Sequence, residues 1–188
     1  MKAKYVLFVL LFLISFAADQ GTKIWARNTL KPEGYPFLRR ETVVPIKTVI
    51  KGYWEFRYSE NPGSAFGLFR NMAGARTMLF VVGLLCLAVI GLWLYRVPGN
   101  AAWLAAKLGL LAGGAVGNIF DRVRFGRVTD FIVWQVTTSS GVHQWPTFNV
   151  ADAALVIGVI SILIDWPRDK LPKDEDVIPA KPAASTAT

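Results

Sequence analysis

The chain has 188 residues, 53% of them hydrophobic and 18% charged, with a formal net charge of +8 at pH 7. Its apolar residues are gathered into long blocks, which excludes an ordinary soluble domain and predicts an integral membrane protein. In that setting the surplus Lys and Arg point to anionic lipid headgroups and not to nucleic acid, while the single cysteine, Cys86, lies inside an apolar run and excludes an internal disulfide or a cysteine metal site.

Crossing about 30 Å of hydrocarbon takes roughly 20 helical residues. Stretches 5–25, 77–95, 101–120 and 150–166 come close to that length. The expected fold class is therefore an all-α integral membrane protein with four transmembrane helices. The first stretch has a rival reading as a cleaved secretory signal, because Met1-Lys2-Ala3-Lys4 precedes the apolar run and Ser15-Phe16-Ala17 offers a small-x-small site. Apolar character resumes at Ile24-Trp25-Ala26, which favours an uncleaved helix.

Residues 27–76 form the one sizeable extramembrane insert. Within it Thr42 to Ile50 is rich in Val, Ile and Thr, and Tyr53 to Tyr58 alternates Trp54, Phe56 and Tyr58 with Tyr53, Glu55 and Arg57. These are strand signals, so a small extracytoplasmic β-sheet or cradle is expected on the bilayer surface, ending at the Asn61-Pro62-Gly63 turn. The apolar Ser64 to Phe69 segment suits an interfacial turn or brief helix, and Phe66, Leu68 and Phe69 suit a lid. On the third stretch Ala101, Ala105, Gly109, Gly113 and Gly117 recur every four residues, a stripe on which another helix can approach closely. Residues 1–166 thus read as one membrane domain and 167–188, rich in Lys, Asp, Pro, Ala and Thr, as a disordered cytoplasmic tail.

Two aspartates, Asp130 and Asp152, flank the loop between the last two spans. A carboxylate at the edge of hydrocarbon is costly and marks a functional site, and two such groups point to shared-proton chemistry. Four spans with the Lys2/Lys4 end in the cytoplasm place Asp19, Lys23, Asn61, Asn118, Asp121, Arg122, Asn149 and Asp152 at one water interface, with both termini on the opposite side. The basic residues do not support this orientation cleanly, since nine of them lie between Arg27 and Arg76 and would be outside, although in so long a segment only those near the helix ends count strongly. Trp25, Trp93, Trp134, Trp145 and Trp166 lie near span ends and read as interfacial anchors.

Five short blocks occur in a telling order. They are Asp19-Gln20-x-x-Lys23, Asn61-Pro62-Gly63-Ser64-Ala65-Phe66-Gly67, Gly113 to Arg122, Val128-Thr129-Asp130-Phe131-Ile132 and Phe148-Asn149-Val150-Ala151-Asp152-Ala153. Together they resemble lipoprotein signal peptidase, that is signal peptidase II. The Arg27 to Arg57 loop is longer than is usual in that family and the charged tail is an addition; neither touches a motif.

The resemblance implies a membrane aspartic endopeptidase that removes signal peptides from diacylglyceryl-modified bacterial prolipoproteins, cutting before the lipidated cysteine. Asp130 and Asp152 align with the catalytic pair. Two adjacent carboxyls cannot both ionise easily, so one acts as base on a water while the other stays protonated. It implies no metal and no cofactor. Asn61, Asn118, Arg122 and Asn149 offer donors for an extended substrate backbone, and Asp121 either fixes Arg122 or serves the fold. Asp19 and Lys23, four apart on one helix, form a structural polar pair. The implied partners are the lipidated precursor and membrane lipids, the protein acts as a monomer, and the location is the bacterial cytoplasmic (inner) membrane with the active site toward the extracytoplasmic face. His143, the one histidine, is a surface loop residue outside the site. The alternatives are a non-catalytic paralogue that binds lipoprotein precursors or an inhibitor, and a proton-coupled transporter, which usually carries internal repeats and a midplane site; neither feature is evident.

Overall fold

The computed structural model describes residues 2–35, 44–63 and 74–165. The Ser64 to Phe69 segment, Trp166, the tail and the start of the Thr42 to Ile50 run lie outside the described residues. The elements are α1 (Lys2–Thr29), β1 (Ile46–Ile50), β2 (Trp54–Asn61), α2 (Ala75–Arg96), α3 (Ala102–Phe125), β3 (Val128–Thr138), β4 (Gly141–Gln144) and α4 (Val150–Asp165).

Among the described residues three helices, over Ala3–Thr29, Thr77–Arg96 and Ala102–Phe125, are long and apolar enough to cross a membrane. The 16 described residues of α4 rise about 24 Å at 1.5 Å each. Helix α3 is the buried centre of the bundle, whereas α2 leaves Val81, Leu84, Leu85, Val89 and Leu92 exposed. Composition explains the difference. Leu and Val offer lipid tails the same apolar contact they offer protein, while Gly and Ala let backbones come together.

The small-residue stripe of α3 does this on two sides. A methyl group added at Gly113 would lie 2.6 Å from the Phe12 carbonyl oxygen and 2.7 Å from Ser15 Cβ, so α1 rests directly on the α3 backbone. Gly109 sits in the same way against the Phe8 carbonyl, and Gly117 against the Asp19 carboxylate. The neighbouring Gly114 faces α4 instead, where an added Cβ would be 2.7 Å from the Ala151 carbonyl oxygen.

The helix ends sort by charge. At one end the buried Lys4 ammonium donates to the carbonyls of Leu94 (3.1 Å) and Val97 (2.6 Å), satisfying the C-terminus of α2. Lys107, near the start of α3, donates to the Ser161 carbonyl at 3.1 Å and pairs with Asp165 at the end of α4. The chain therefore runs up and down. All the polar residues singled out from the sequence collect at the opposite end, beside the sheet.

That sheet corrects an expectation. Its order is β1-β2-β3-β4, all antiparallel, so half of its strands come from between α3 and α4 and not from the insert after α1. Asp130 lies on β3, and the segment expected as the loop between Asp130 and Asp152 opens with the rest of that strand and β4. The physical reason is that a two-stranded hairpin is marginal by itself, and the Val, Ile, Thr and Trp of Val128–Thr138 supply the partner that β2 needs. Glu55 pairs with Val133 and Phe56 with Ile132; the register then shifts, and Ser59 pairs with Asp130, Glu60 with Thr129 and Asn61 with Val128. One extra residue in β2 makes a bulge, which bends the strand next to Asp130.

A short bridge leads from the sheet to α4. The amides of Phe131 (3.0 Å) and Ile132 (2.8 Å) both donate to the Phe148 carbonyl, and the Phe148 amide donates back to Ile132 at 3.1 Å. Beneath the sheet Trp25 stacks edge-on against Phe56 and Phe131, with ring centroids 5.3 and 5.9 Å away. Trp25 thereby makes a helix-to-sheet contact, and Trp93 packs against the core at the far end. Trp134 and Trp145 are exposed on the sheet's outer side.

Candidate active site

Helix α4 starts from a reciprocal cap. The Asp152 amide donates to Asn149 Oδ1 at 3.0 Å, and the Asn149 amide donates to Asp152 Oδ2 at 3.2 Å. Asp152 is thereby fixed in the first turn, where the helix dipole favours a negative charge. Asp130 arrives from β3 and is 4% exposed. Asn149, fully buried, joins the two: its Nδ2 donates to Asp130 Oδ1 at 2.7 Å. The same Nδ2 donates to Asn118 Oδ1 at 3.2 Å, and Asn118 Nδ2 donates to Asp152 Oδ1 at 2.8 Å. Two carboxyls are bridged by two amides, at the edge of the helix bundle.

Burial, and then the neighbouring charge of Asp152, push the Asp130 carboxyl up to about 7, against the opposing hydrogen bonds from Asn149 and Asn61. The folded state holds the Asp130 proton more tightly than the unfolded chain, in which an aspartyl ionises near about pH 3.9. The associated stability is complete below that pH and is lost as pH rises through about 7. Thermal unfolding from pH 4 to 8 is expected to show the wild type losing stability relative to Asp130→Asn, which cannot titrate; parallel curves would contradict the buried acid.

A second cluster supports the first from behind. Asp19 and Lys23 of α1 form the expected pair at 2.9 Å, both fully buried. Asp19 Oδ1 also accepts from the Ala151 amide at 3.0 Å, so a side chain of α1 holds the first turn of α4. Gln20 Nε2 donates to Asp19 Oδ2 at 2.9 Å. Lys23 in turn donates to Asn118 Oδ1 at 2.9 Å and lies 3.6 Å from Asp121. Asp121 accepts from the Thr129 amide at 2.9 Å and faces Arg27 at 3.4 Å. Arg27 donates to Thr129 Oγ1 at 2.8 Å. These bonds give Asp121 the fold role, holding β3 one residue before Asp130.

Arg122 Nη1 donates to the Asn118 carbonyl at 3.2 Å, and the charges of Asp152, Asp130 and Asp121 all act on it. Asn61 Oδ1 accepts from the Gly63 amide at 3.1 Å, and its side chain hydrogen-bonds Asp130. Asn61, Asn118, Arg122 and Asn149 therefore gather round the two aspartates. His143 is exposed on β4, 3.2 Å from Ser140 Oγ. Gln20, Arg27, Thr129 and the Ala151 amide were not singled out from the sequence as site residues. For Arg27 a signal existed, since Asp19, Lys23 and Arg27 recur at four-residue spacing along one helix face. Among the described residues no group of three or more His, Cys, Asp or Glu is arranged to hold a metal.

Residues 11–167 match the family Peptidase_A8, described as Signal peptidase (SPase) II. The chain belongs to the signal peptidase II family. The matched span takes in every site residue discussed above. Among curated relatives, the lipoprotein signal peptidase of Pseudomonas putida is 34% identical over 171 residues, covering 89% of this chain and 90% of the relative. That of Xylella fastidiosa strain 9a5c is 39% identical over 160 residues, covering 84% and 86%. Two solved structures, each described as a bacterial membrane enzyme, are similar as well. One is 28% identical with a TM-score of 0.67, covering 87% of this chain and 94% of that one. The other is 26% identical with a TM-score of 0.64, covering 88% and 93%.

Proposed function

We propose that the chain is an aspartic endopeptidase that removes the signal peptide from diacylglyceryl-modified prolipoproteins, cutting before the lipidated cysteine, with Asp130 and Asp152 as its catalytic pair. One observation carries this reading: Asn149 bridges an acid raised by burial to a second carboxyl at a helix N-terminus. Asp152, partly exposed and favoured as an anion by the α4 dipole, draws a proton from a water. The water oxygen attacks the scissile carbonyl while protonated Asp130 stabilises the developing oxyanion. Collapse breaks the C–N bond, and the proton taken up by Asp152 passes to the leaving amine. Asn61, Asn118 and Arg122 hold the pair and the substrate backbone in line.

In the same reading residues 1–166 are one membrane domain with four spans, and 167–188 are a cytoplasmic tail. Both termini lie in the cytoplasm, the sheet rests on the outer face of the inner membrane, and a monomer acts on substrate that enters sideways from the bilayer. A diacylglyceryl chain does not leave hydrocarbon cheaply, each buried CH2 being worth about 0.8 kcal/mol, so the reacting groups have to meet it at the interface. The deciding experiment incubates the purified protein with a diacylglyceryl-modified prolipoprotein and, in parallel, the unmodified precursor. Cleavage of the lipidated form alone is expected. Cleavage of both forms would indicate a general signal peptidase, and cleavage of neither would favour a non-catalytic relative.

A further inference from the structure

The back of the β2–β3 pair carries a second charged cluster that the proposed chemistry does not use. In the register of these strands Ser59, Asn61, Val128 and Asp130 share one face, and Glu60 and Thr129 share the other. On that other face Glu60 Oε1 accepts from the Tyr58 hydroxyl at 2.7 Å and from Lys31 Nζ at 3.1 Å. Its Oε2 accepts from Arg127 Nη1 at 2.7 Å, and its backbone amide donates to the Tyr35 hydroxyl at 3.2 Å. Lys31 follows the end of α1, and Arg127 sits between the α3 C-cap Gly126 and β3. One carboxylate therefore ties β2 to the ends of α1 and α3.

We propose that Glu60 is a positioning residue for the aspartate pair, pinning the register of β2 on β3 beyond the bulge so that Asn61 and Asp130 face the start of α4. The need for a pin follows from strand geometry. The bulge between Phe56 and Ser59 frees the ladder locally, and a slip by one residue turns every side chain to the opposite face. Backbone hydrogen bonds are repeated at each register and do not choose between them. A charge-assisted three-way contact at Glu60 does choose, because only one register brings its carboxylate to both Lys31 and Arg127. Burial opposes the charge, but the bonds from Tyr58, Arg127 and Lys31 hold the Glu60 carboxyl below its ordinary range. The carboxylate is 9% exposed while Lys31 and Arg127 are 39% and 40% exposed, so the anion is the fixed centre and the cations reach in to it.

This inference rests on the assignment of Asp130 and Asp152, and the test separates the two. Full-length Glu60→Ala and Glu60→Gln are purified beside wild type, and kcat, KM, the pH dependence of kcat and the thermal midpoint are measured on the lipidated precursor. Glu60→Ala is expected to lower kcat about tenfold, as a small misplacement of reacting groups does, with KM nearly unchanged. Its alkaline limb should move to higher pH, because a loosened Asn61 no longer favours the ionised form of Asp130. The charges facing Asp130, namely Asp152 from α4, Lys23 from α1 and Arg122 from α3, are the same in both variants. Glu60→Gln keeps an oxygen for Tyr58 and should fall between wild type and Glu60→Ala. A Glu60→Ala protein with wild-type kcat and pH profile and only a lower thermal midpoint overturns the positioning role. If that variant does not fold, Glu60→Gln decides, and wild-type kcat and pH profile there overturn it equally. An active Asp130→Asn protein would instead remove the reading on which the inference depends.

Discussion

Asp130→Asn and Asp152→Asn are each expected to reduce turnover of lipidated precursor by about 10²–10⁴-fold, the range for losing a positioned general acid or base. Neither should unfold the protein. An amide at residue 152 keeps one oxygen, which still accepts from the Asn149 amide, so the reciprocal cap at the start of α4 survives while Asn118 Nδ2 loses its acceptor. An amide at residue 130 removes a buried acid whose ionisation is opposed by its surroundings, so that variant should be at least as stable as wild type at pH 7. The two substitutions are not equivalent in mechanism. With residue 152 as amide the proton acceptor is lost, whereas with residue 130 as amide a weaker donor remains for the oxyanion. Turnover per folded molecule, with the thermal midpoint measured alongside, is the required pair of readouts. Wild-type turnover in either variant would refute the aspartic mechanism.

The largest loss of stability is expected at Asp19→Ala, about 3–5 kcal/mol, the cost of removing one member of a buried ion pair. Two defects arise together. Lys23 keeps only Asn118 at 2.9 Å and the more distant Asp121 at 3.6 Å as compensation for a fully buried ammonium. The Ala151 amide, held by Asp19 at 3.0 Å, loses its acceptor in the first turn of α4. Reversible unfolding in mixed micelles measures the difference. Replacing both charges, as Asp19→Leu with Lys23→Met, should cost less than the sum of the single changes, since no unpaired charge remains. Additive single and double effects would show that Asp19 and Lys23 are not coupled as their 2.9 Å separation requires.

The legible parts of this protein are those written in contiguous sequence. Apolar runs gave the membrane class, and the four-residue recurrence from Ala101 to Gly117 gave the close helix contact, because both follow from helical periodicity alone. The i, i+4 spacing of Asp19 and Lys23 gave their pairing for the same reason. The strand β3 was missed although Val128–Thr138 is rich in β-branched residues, because its role depends on a partner about seventy residues earlier, Trp54–Asn61.

Acidic residues near the ends of apolar runs single out, in sequence alone, the side chains that the structure gathers beside the sheet. Which groups hold them is a different kind of fact. That Asp19 of α1 supports the backbone of α4, that Asp121 serves Thr129 and Arg27, and that Glu60 gathers Lys31 and Arg127 are decided by contacts between different elements, from 8 to 132 positions apart in the chain. Periodicity reports which face of an element is apolar, but the partner of a buried charge is set by which backbones can approach, and here glycines on α3 determine that approach.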